Sequence, residues 1–296
     1  MSESSETLRK KINEAANLES VVRTMKAIAA SNIIKYEKSA SALDDYYYTI
    51  KLGLNAYFRR NTLASFWPAK NNQKEEKVTG AIVFGADQGL TGQFNEVIVS
   101  HALEKLSTLK SRPEIWAVGE GIYEHLTEAG LPLAGIFSVP NSLEAIAPLV
   151  GDVLLESETR INHNEISEFY IFYNSYTQGS AYKPVHERLL PLDDIWLHEL
   201  SKLSWPTKFL PEVIGDARTT LLSLIHEYLF VAVFRACTES LAAENASRLA
   251  TTQRADKNIS ELLEDLNRTY QTLRQNSIDE ELFDVISGFE NVSVQK

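Results

Sequence analysis

The sequence predicts an α/β protein in which a mostly parallel sheet is inserted between two long terminal helices that pair antiparallel. Three observations carry this. From Met1 to Trp67 there is no proline and only one glycine, Gly53; from Asp216 to Ser287 there is neither; nearly all the rest lie between Gly80 and Gly215. Glycine and proline are the strongest breakers of regular structure, so the terminal tracts read as long helices. Both tracts carry apolar residues at alternating spacings of four and three, the seam of a coiled coil. The middle alternates short apolar runs with amphipathic stretches, as strands and covering helices do in a parallel sheet.

In the first tract Leu8, Ile12 and Ala15 are spaced by four and three, and Leu18, Val22, Met25 and Ala29 by four, three and four. The stripe continues less regularly through Ile33, Leu43, Tyr47, Ile50 and Leu54, which predicts one long amphipathic helix. In the last tract Ile259, Leu263, Leu266, Tyr270 and Leu273 repeat the alternation. Unbroken, that tract makes a helix of roughly 110 Å. Upstream, Leu221 to Ala236 is apolar on most faces and should be wrapped by other protein, whereas "TTQRADKN" offers only a weak polar seam. Each fully buried Leu or Ile contributes ~1.5–3 kcal/mol, so neither stripe stays in water, and each terminal helix is the obvious partner of the other.

The middle reads in order as strand "TGAIVFGA", helix "FNEVIVSHALEKLSTLK", strand "EIWAVG", helix "EGIYEHLTEAG", strand "LAGIFSVP" and helix "SLEAIAPLVGDVLLESETR". Two strands of more alternating polarity, "EFYIFYNSYTQ" and "AYKPVHERLLPL", then form an edge hairpin. The expected division is a terminal helix over 1–66, an inserted Rossmann-like domain over 77–205, and a foot segment plus second long helix over 206–296.

With 296 residues and 44% apolar content the chain can bury a substantial core. A net charge of −11 without a long basic block gives nucleic-acid binding no electrostatic support. The single cysteine, Cys237, rules out an internal disulfide and reads as a small buried hydrophobe. The N-terminal twenty residues lack the apolar core of a signal peptide and the acid-poor pattern of a transit peptide. No run approaches the ~20 apolar residues of a membrane span.

The stretch "AIVFGADQGLTGQFN", residues 81–95, has the strand, glycine bend and helix order that cradles phosphate elsewhere. It has no lysine at the phosphate-loop spacing, and the dinucleotide pattern fails from both Gly85 and Gly89. Asp87 therefore reads as a turn or helix cap, and Gly89 and Gly92 as permitting tight turning and close approach of helix to sheet. The six histidines are scattered, "INHNE" lacks a second metal ligand at a useful spacing, and no G-x-S-x-G elbow marks a nucleophile. Tyr46, Tyr47 and Tyr48 read as packing, and Asp279, Glu280, Glu281 and Asp284 as a solvated helix face. No catalytic residue, cofactor site or metal site is expected.

Four stretches taken together, "TMKAIAASN", "FGADQGLTGQFN", "AENASRLATTQRADKN" and "RQNSIDEELFDVISG", resemble the gamma subunit of F-type ATP synthases along essentially the whole chain. The C-terminal match is the most specific, resting on Tyr270, Arg274, Gln275, Ser277, Ile278, Glu281, Leu282, Ile286 and Gly288. The resemblance implies a non-catalytic rotor shaft running up the cavity of an alpha/beta hexamer, above a membrane ion ring and beside a small epsilon-type rotor subunit. It also implies a peripheral place on the cytoplasmic face of a bacterial plasma membrane, and no homo-oligomer. The implied hexamer contacts are Met25, Lys26, Arg248, Arg274, Gln275, Asp279 and Glu281, with Arg248 as an ionic catch. The implied contacts to the ring and small rotor subunit are Phe209 and Glu212.

The chain departs from the family in several places. The family's D-R-G-L-C-G-G-L-N bend has become Asp87 to Asn95 without its arginine and one glycine, Asn32 replaces a usual lysine, and Leu210 replaces the carboxylate before Pro211. These departures point to a divergent bacterial branch, with the alternative sodium-linked type as the form considered. The competing reading is a soluble nucleotide-dependent α/β enzyme that dimerises through its terminal helices.

Overall fold

A computed structural model describes residues 5–60, 78–109, 111–162, 166–177, 181–192 and 194–293. In chain order the elements are α1 (Ser5–Ala42), α2 (Asp44–Arg60), β1 (Val78–Phe84), α3 (Phe94–Ser107), β2 (Arg112–Val118) and α4 (Glu120–Glu128). Then follow β3 (Leu133–Phe137), α5 (Ile146–Asn162), β4 (Glu168–Thr177), β5 (Ala181–Leu190), α6 (Asp194–Ser201) and α7 (Ala217–Ser293). The five strands lie in the order β3-β2-β1-β4-β5, parallel except for the β4–β5 hairpin, as the alternation of strand and helix patterns predicts.

The chain divides into two compact units, residues 30–248 and residues 1–29 with 249–296. In the larger unit the period-two alternation of β1 sorts its side chains onto two faces. Ile82 and Phe84 join Trp116, Val118, Ile171, α5 and the apolar start of α7 in one core, while Ala81 and Val83 join Ile115, Ala117, Phe172, α3 and α4 in the other. Glycine is required where these layers meet most closely. A Cβ on Gly85 would lie 2.2 Å from that of Ile122, and one on Gly121 would lie 2.3 Å from the Ala86 carbonyl.

Several expectations need correction. The first tract is two helices, not one: the helix breaks at Leu43, and Asp44 and Asp45 open α2, where acidic side chains favour a helix start. Gly89 meets nothing within 4 Å, so the close helix-sheet approach belongs to Gly85 and Gly121, while Gly92 does turn with φ 60°. Helix α6 follows the hairpin, too short to show a period. Within α7 an 18-residue window of mean hydropathy 1.4 meets the length and composition of a membrane span, and 44% of it is buried. Its surroundings explain the composition, because Leu221, Leu229, Val231 and Val233 pack in the larger unit's core. The tyrosines divide: Tyr47 stacks on Tyr228 at 5.4 Å, while Tyr46 and Tyr48 are exposed. The expected boundaries at 66 and 77 and most of "INHNE" fall outside the described residues.

The smaller unit contains the pairing of chain ends. Leu8, Ala15, Val22 and Ala29 are buried on α1 at intervals of seven, with Ile12, Glu19 and Lys26 half-buried between them. On α7 the covered positions include Thr252, Asp256, Ile259, Leu263, Leu266, Tyr270 and Leu273, again alternately four and three apart. Glu19 reaches Ser260 and Lys26 reaches Asp256, so rising numbers on one helix meet falling numbers on the other, and the pair is antiparallel.

Candidate functional site

Two features stand out as sites, the glycine bend of the larger unit and the helix pair of the smaller one. In the bend, Asn95 opens α3 and turns its amide back on the strand end: Ala86 N donates to Asn95 Oδ1 at 2.9 Å, and Asn95 Nδ2 donates to the Ala86 carbonyl at 3.0 Å. The Asp87 carboxylate accepts the Glu120 amide, so Asp87 caps α4. Asn174 donates to the Phe94 carbonyl at 3.0 Å, and Ser247 of α7 to the Thr91 carbonyl at 2.5 Å. The ring of Phe94 packs with Ala86 and Ala243. These hydrogen bonds tie the bend to its own strand end, to α4 and to α7, which makes it a fastening between sheet and α7.

Arg248 belongs to this fastening. It is buried, pairs with Glu244 at 2.6 Å and donates to the Gln88 carbonyl at 3.4 Å. Burial pushes the Glu244 carboxyl above its usual range, and the Arg248 guanidinium partly reverses that. Burial likewise raises the Cys237 thiol, which sits in the core.

In the smaller unit Leu18 lies outside the seam that spacing assigns to it. The seam passes instead through Glu19, and Leu18, Val21 and Ile28 stand outward at 53, 55 and 56% exposure. Met25 is half-buried beside them, and with spacings of three, four and three the four residues form a second apolar stripe on α1. Lys26 is turned to α7, where Asp256 accepts from it at 2.5 Å and from Arg23 Nε at 3.2 Å. The sequence reading missed Asp256, Glu19 and Ser260. The signal was present as an unbroken alternation from Leu8 to Ala29 once polar residues are admitted to it.

The remaining predicted contacts are exposed. Arg274, Gln275, Asp279 and Glu281 lie on an exposed length of α7, and among the described residues none of the four side chains has an ion pair or hydrogen bond. Ile278, Leu282, Phe283, Val285 and Ile286 on the same length are 47 to 69% exposed. In the foot segment, Trp205 Nε1 donates to the Phe209 carbonyl at 2.8 Å; Phe209 is 84% exposed, Ile214 96% exposed and Glu212 exposed. The structure thus brings together Met25 and Lys26 on one helix and groups Arg274 to Glu281 on another, while Arg248 joins the bend.

Comparison with known proteins agrees with this architecture. The family model described as ATP synthase matches residues 4–292. The ATP synthase gamma chain of Glaesserella parasuis is 28% identical over 285 residues, covering 95% of this chain and 96% of that one. Among solved structures, a chain of the Euglena gracilis mitochondrial ATP synthase (OSCP, F1 and c-ring) superposes with a TM-score of 0.63 at 18% identity, covering 97% of this chain and 94% of that one. A chain from the central stalk and c-ring of the Tetrahymena thermophila enzyme gives 0.56 at 19% identity, covering 79% and 99%. With its terminal helices paired, its sheet inserted between them and that match across residues 4–292, this chain belongs to the ATP synthase family, as a gamma chain.

Proposed function

We infer that this chain is the central rotor stalk of an ATP synthase, coupling rotation of a membrane ring to conformational change in an alpha/beta hexamer. The observation that carries the reading is the second apolar stripe of α1. Leu18, Val21, Met25 and Ile28 bury nothing sufficient within the chain, and exposed apolar surface of this kind marks a protein contact. A shaft changes the affinity of a surrounding site only by touching its conformations differently, and moving an equilibrium from 1:99 to 99:1 needs ~5.5 kcal/mol of differential interaction. A helix pair with one apolar, one charged and one seam-facing side offers different faces to different subunits as it turns.

In this reading Met25 and the apolar stripe meet the hexamer low on the shaft, and Arg274, Gln275, Asp279 and Glu281 meet it near the tip. Phe209 and Glu212 in the foot meet the ring or the epsilon-type small rotor subunit. Arg248 acts as a catch only if its bond to Glu244 opens; held in that pair, it fixes the bend. The chain has no chemistry of its own and works peripherally at the cytoplasmic face of a bacterial plasma membrane. The bend's lack of a phosphate-loop lysine and its fastening to α7 through Ser247 favour this over a nucleotide-dependent enzyme.

Co-expression with alpha and beta subunits and mass measurement of the intact assembly tests the reading. One copy of this chain per hexamer is expected, and Leu18→Gln/Val21→Gln/Ile28→Gln should weaken assembly while the isolated chain keeps its melting temperature. A self-sufficient homodimer that ignores the hexamer, and binds ATP, ADP or NAD in calorimetry, overturns it.

A further inference from the structure

We propose that Glu19, Lys26 and Asp256 set the register of the antiparallel helix pair, a task its apolar residues cannot perform. Counting outward from the Lys26–Asp256 contact along both alternations puts Val22 with Ile259, Glu19 with Leu263, Ala15 with Leu266, Ile12 with Tyr270 and Leu8 with Leu273. Because the repeat is seven, sliding one helix by seven residues still sets three apolar pairs together, against four in the native alignment. Val22 then faces Leu266 or Thr252, and Ala15 faces Leu273 or Ile259. Area alone distinguishes these arrangements poorly.

The polar residues distinguish them sharply. Slid one way, Asp256 faces Glu19 and Lys26 faces Leu249; slid the other way, Asp256 faces Ile33 and Lys26 faces Leu263. Each slip separates Lys26 from Asp256 and leaves Asp256 against a carboxylate or an aliphatic side chain, whereas Glu19, beside Leu263 in the native register, has Arg23 and Ser260 as partners. The native register satisfies all of them: Asp256 receives Lys26 at 2.5 Å and Arg23 at 3.2 Å, and Glu19 receives Arg23 at 2.9 Å and Ser260 at 2.7 Å. Four alternating charges and a hydroxyl thus close a network across the seam. Polar groups placed in an otherwise apolar seam specify register at some cost in stability. The same residues oppose pairing of like ends from two copies, since a parallel pair of α1 helices sets Lys26 against Lys26 and a parallel pair of α7 helices sets Asp256 against Asp256.

Cysteine cross-linking in the full chain reads the register directly. The pair Val22→Cys with Ile259→Cys reports the native alignment, and Val22→Cys with Leu266→Cys or Thr252→Cys reports the two slips. With the native seam only the first pair should oxidise above background. In Glu19→Leu/Lys26→Leu/Asp256→Leu, the melting temperature should hold or rise while the slipped pairs cross-link at yields comparable to the native one. An all-leucine seam that keeps the single native alignment overturns the proposal. Asp256→Lys supplies an independent reading should the leucine variant not fold: set against Lys26 and Arg23, it should lose the native cross-link, and an unchanged yield again contradicts the proposal.

Discussion

The Ser247 hydroxyl donates to the Thr91 carbonyl across 2.5 Å, and its neighbour Arg248 reaches the Gln88 carbonyl at 3.4 Å. Two consecutive residues of α7 therefore hold two carbonyls of the bend that follows β1. Between those carbonyls Leu90 sits at φ 62°, a left-handed conformation that L side chains adopt reluctantly and that surrounding contacts must maintain. Ser247→Ala should cost about 1–3 kcal/mol, the range for leaving a buried carbonyl without its donor. Thermal unfolding of the full chain measures it.

The Glu244–Arg248 pair is buried on both sides, with side-chain exposures of 8 and 11%. Arg248→Leu should destabilise strongly, by about 3–5 kcal/mol, because it strands a carboxylate in the core. Adding Glu244→Leu should recover much of that loss. Denaturant midpoints of the two single variants and the double variant give the coupling; a double variant as poor as Arg248→Leu would mean the guanidinium acts through Gln88 instead.

The bend's glycines separate by function. Gly85→Ala would set a Cβ 2.2 Å from that of Ile122, and overpacking of this kind costs about 1–3 kcal/mol. Gly89→Ala meets nothing within 4 Å and should leave stability unchanged or slightly improved, since alanine narrows the unfolded ensemble. Parallel melting curves of the two variants check the contrast.

Two groups give opposite-signed charges but the same pH direction. The hydrogen bond from Lys26, with Arg23 beside it, holds Asp256 below its ordinary 3.8. A carboxylate with a depressed folded value stabilises above its unfolded value and loses that contribution as pH falls through the folded one, so the helix pair should weaken below about pH 4. Asp256→Asn should flatten that acid slope. His186, hydrogen-bonded to His101 at 2.9 Å, is held below 6.5 by burial, with Lys105 and His101 adding to it. Its neutral form is the native one, so the α3–β5 contact should lose stability as pH drops below about 6.5. His186→Gln should remove that part of the profile, measured by melting temperature against pH.

Much of the fold was legible because period and breakers agree. The continuous apolar run around Ile82 and Phe84 marks a strand buried on both faces, and the long interval without Gly or Pro marks α7. What escaped did so for physical reasons. Leu18 falls into a spacing of four and three with Val22 and Met25, yet the seam runs through Glu19 one residue later, because Glu19 finds Ser260 and Lys26 finds Asp256 on α7. The break at Leu43 has neither glycine nor proline to announce it. The contacts proposed for 274–281 rest on resemblance alone, since an exposed charged helix face looks the same whether it meets water or a partner. Arg248 shows the opposite case, a conspicuous charge whose partner, Glu244, lies one turn away on its own helix.

The most direct test is mechanical. A bead fixed to a cysteine placed at Phe209 in the foot, on an alpha/beta hexamer immobilised through its other end, should turn steadily in one direction while ATP is hydrolysed. A bead that only fluctuates about one position, on complexes that contain this chain in single copy and hydrolyse ATP, would contradict the rotor role.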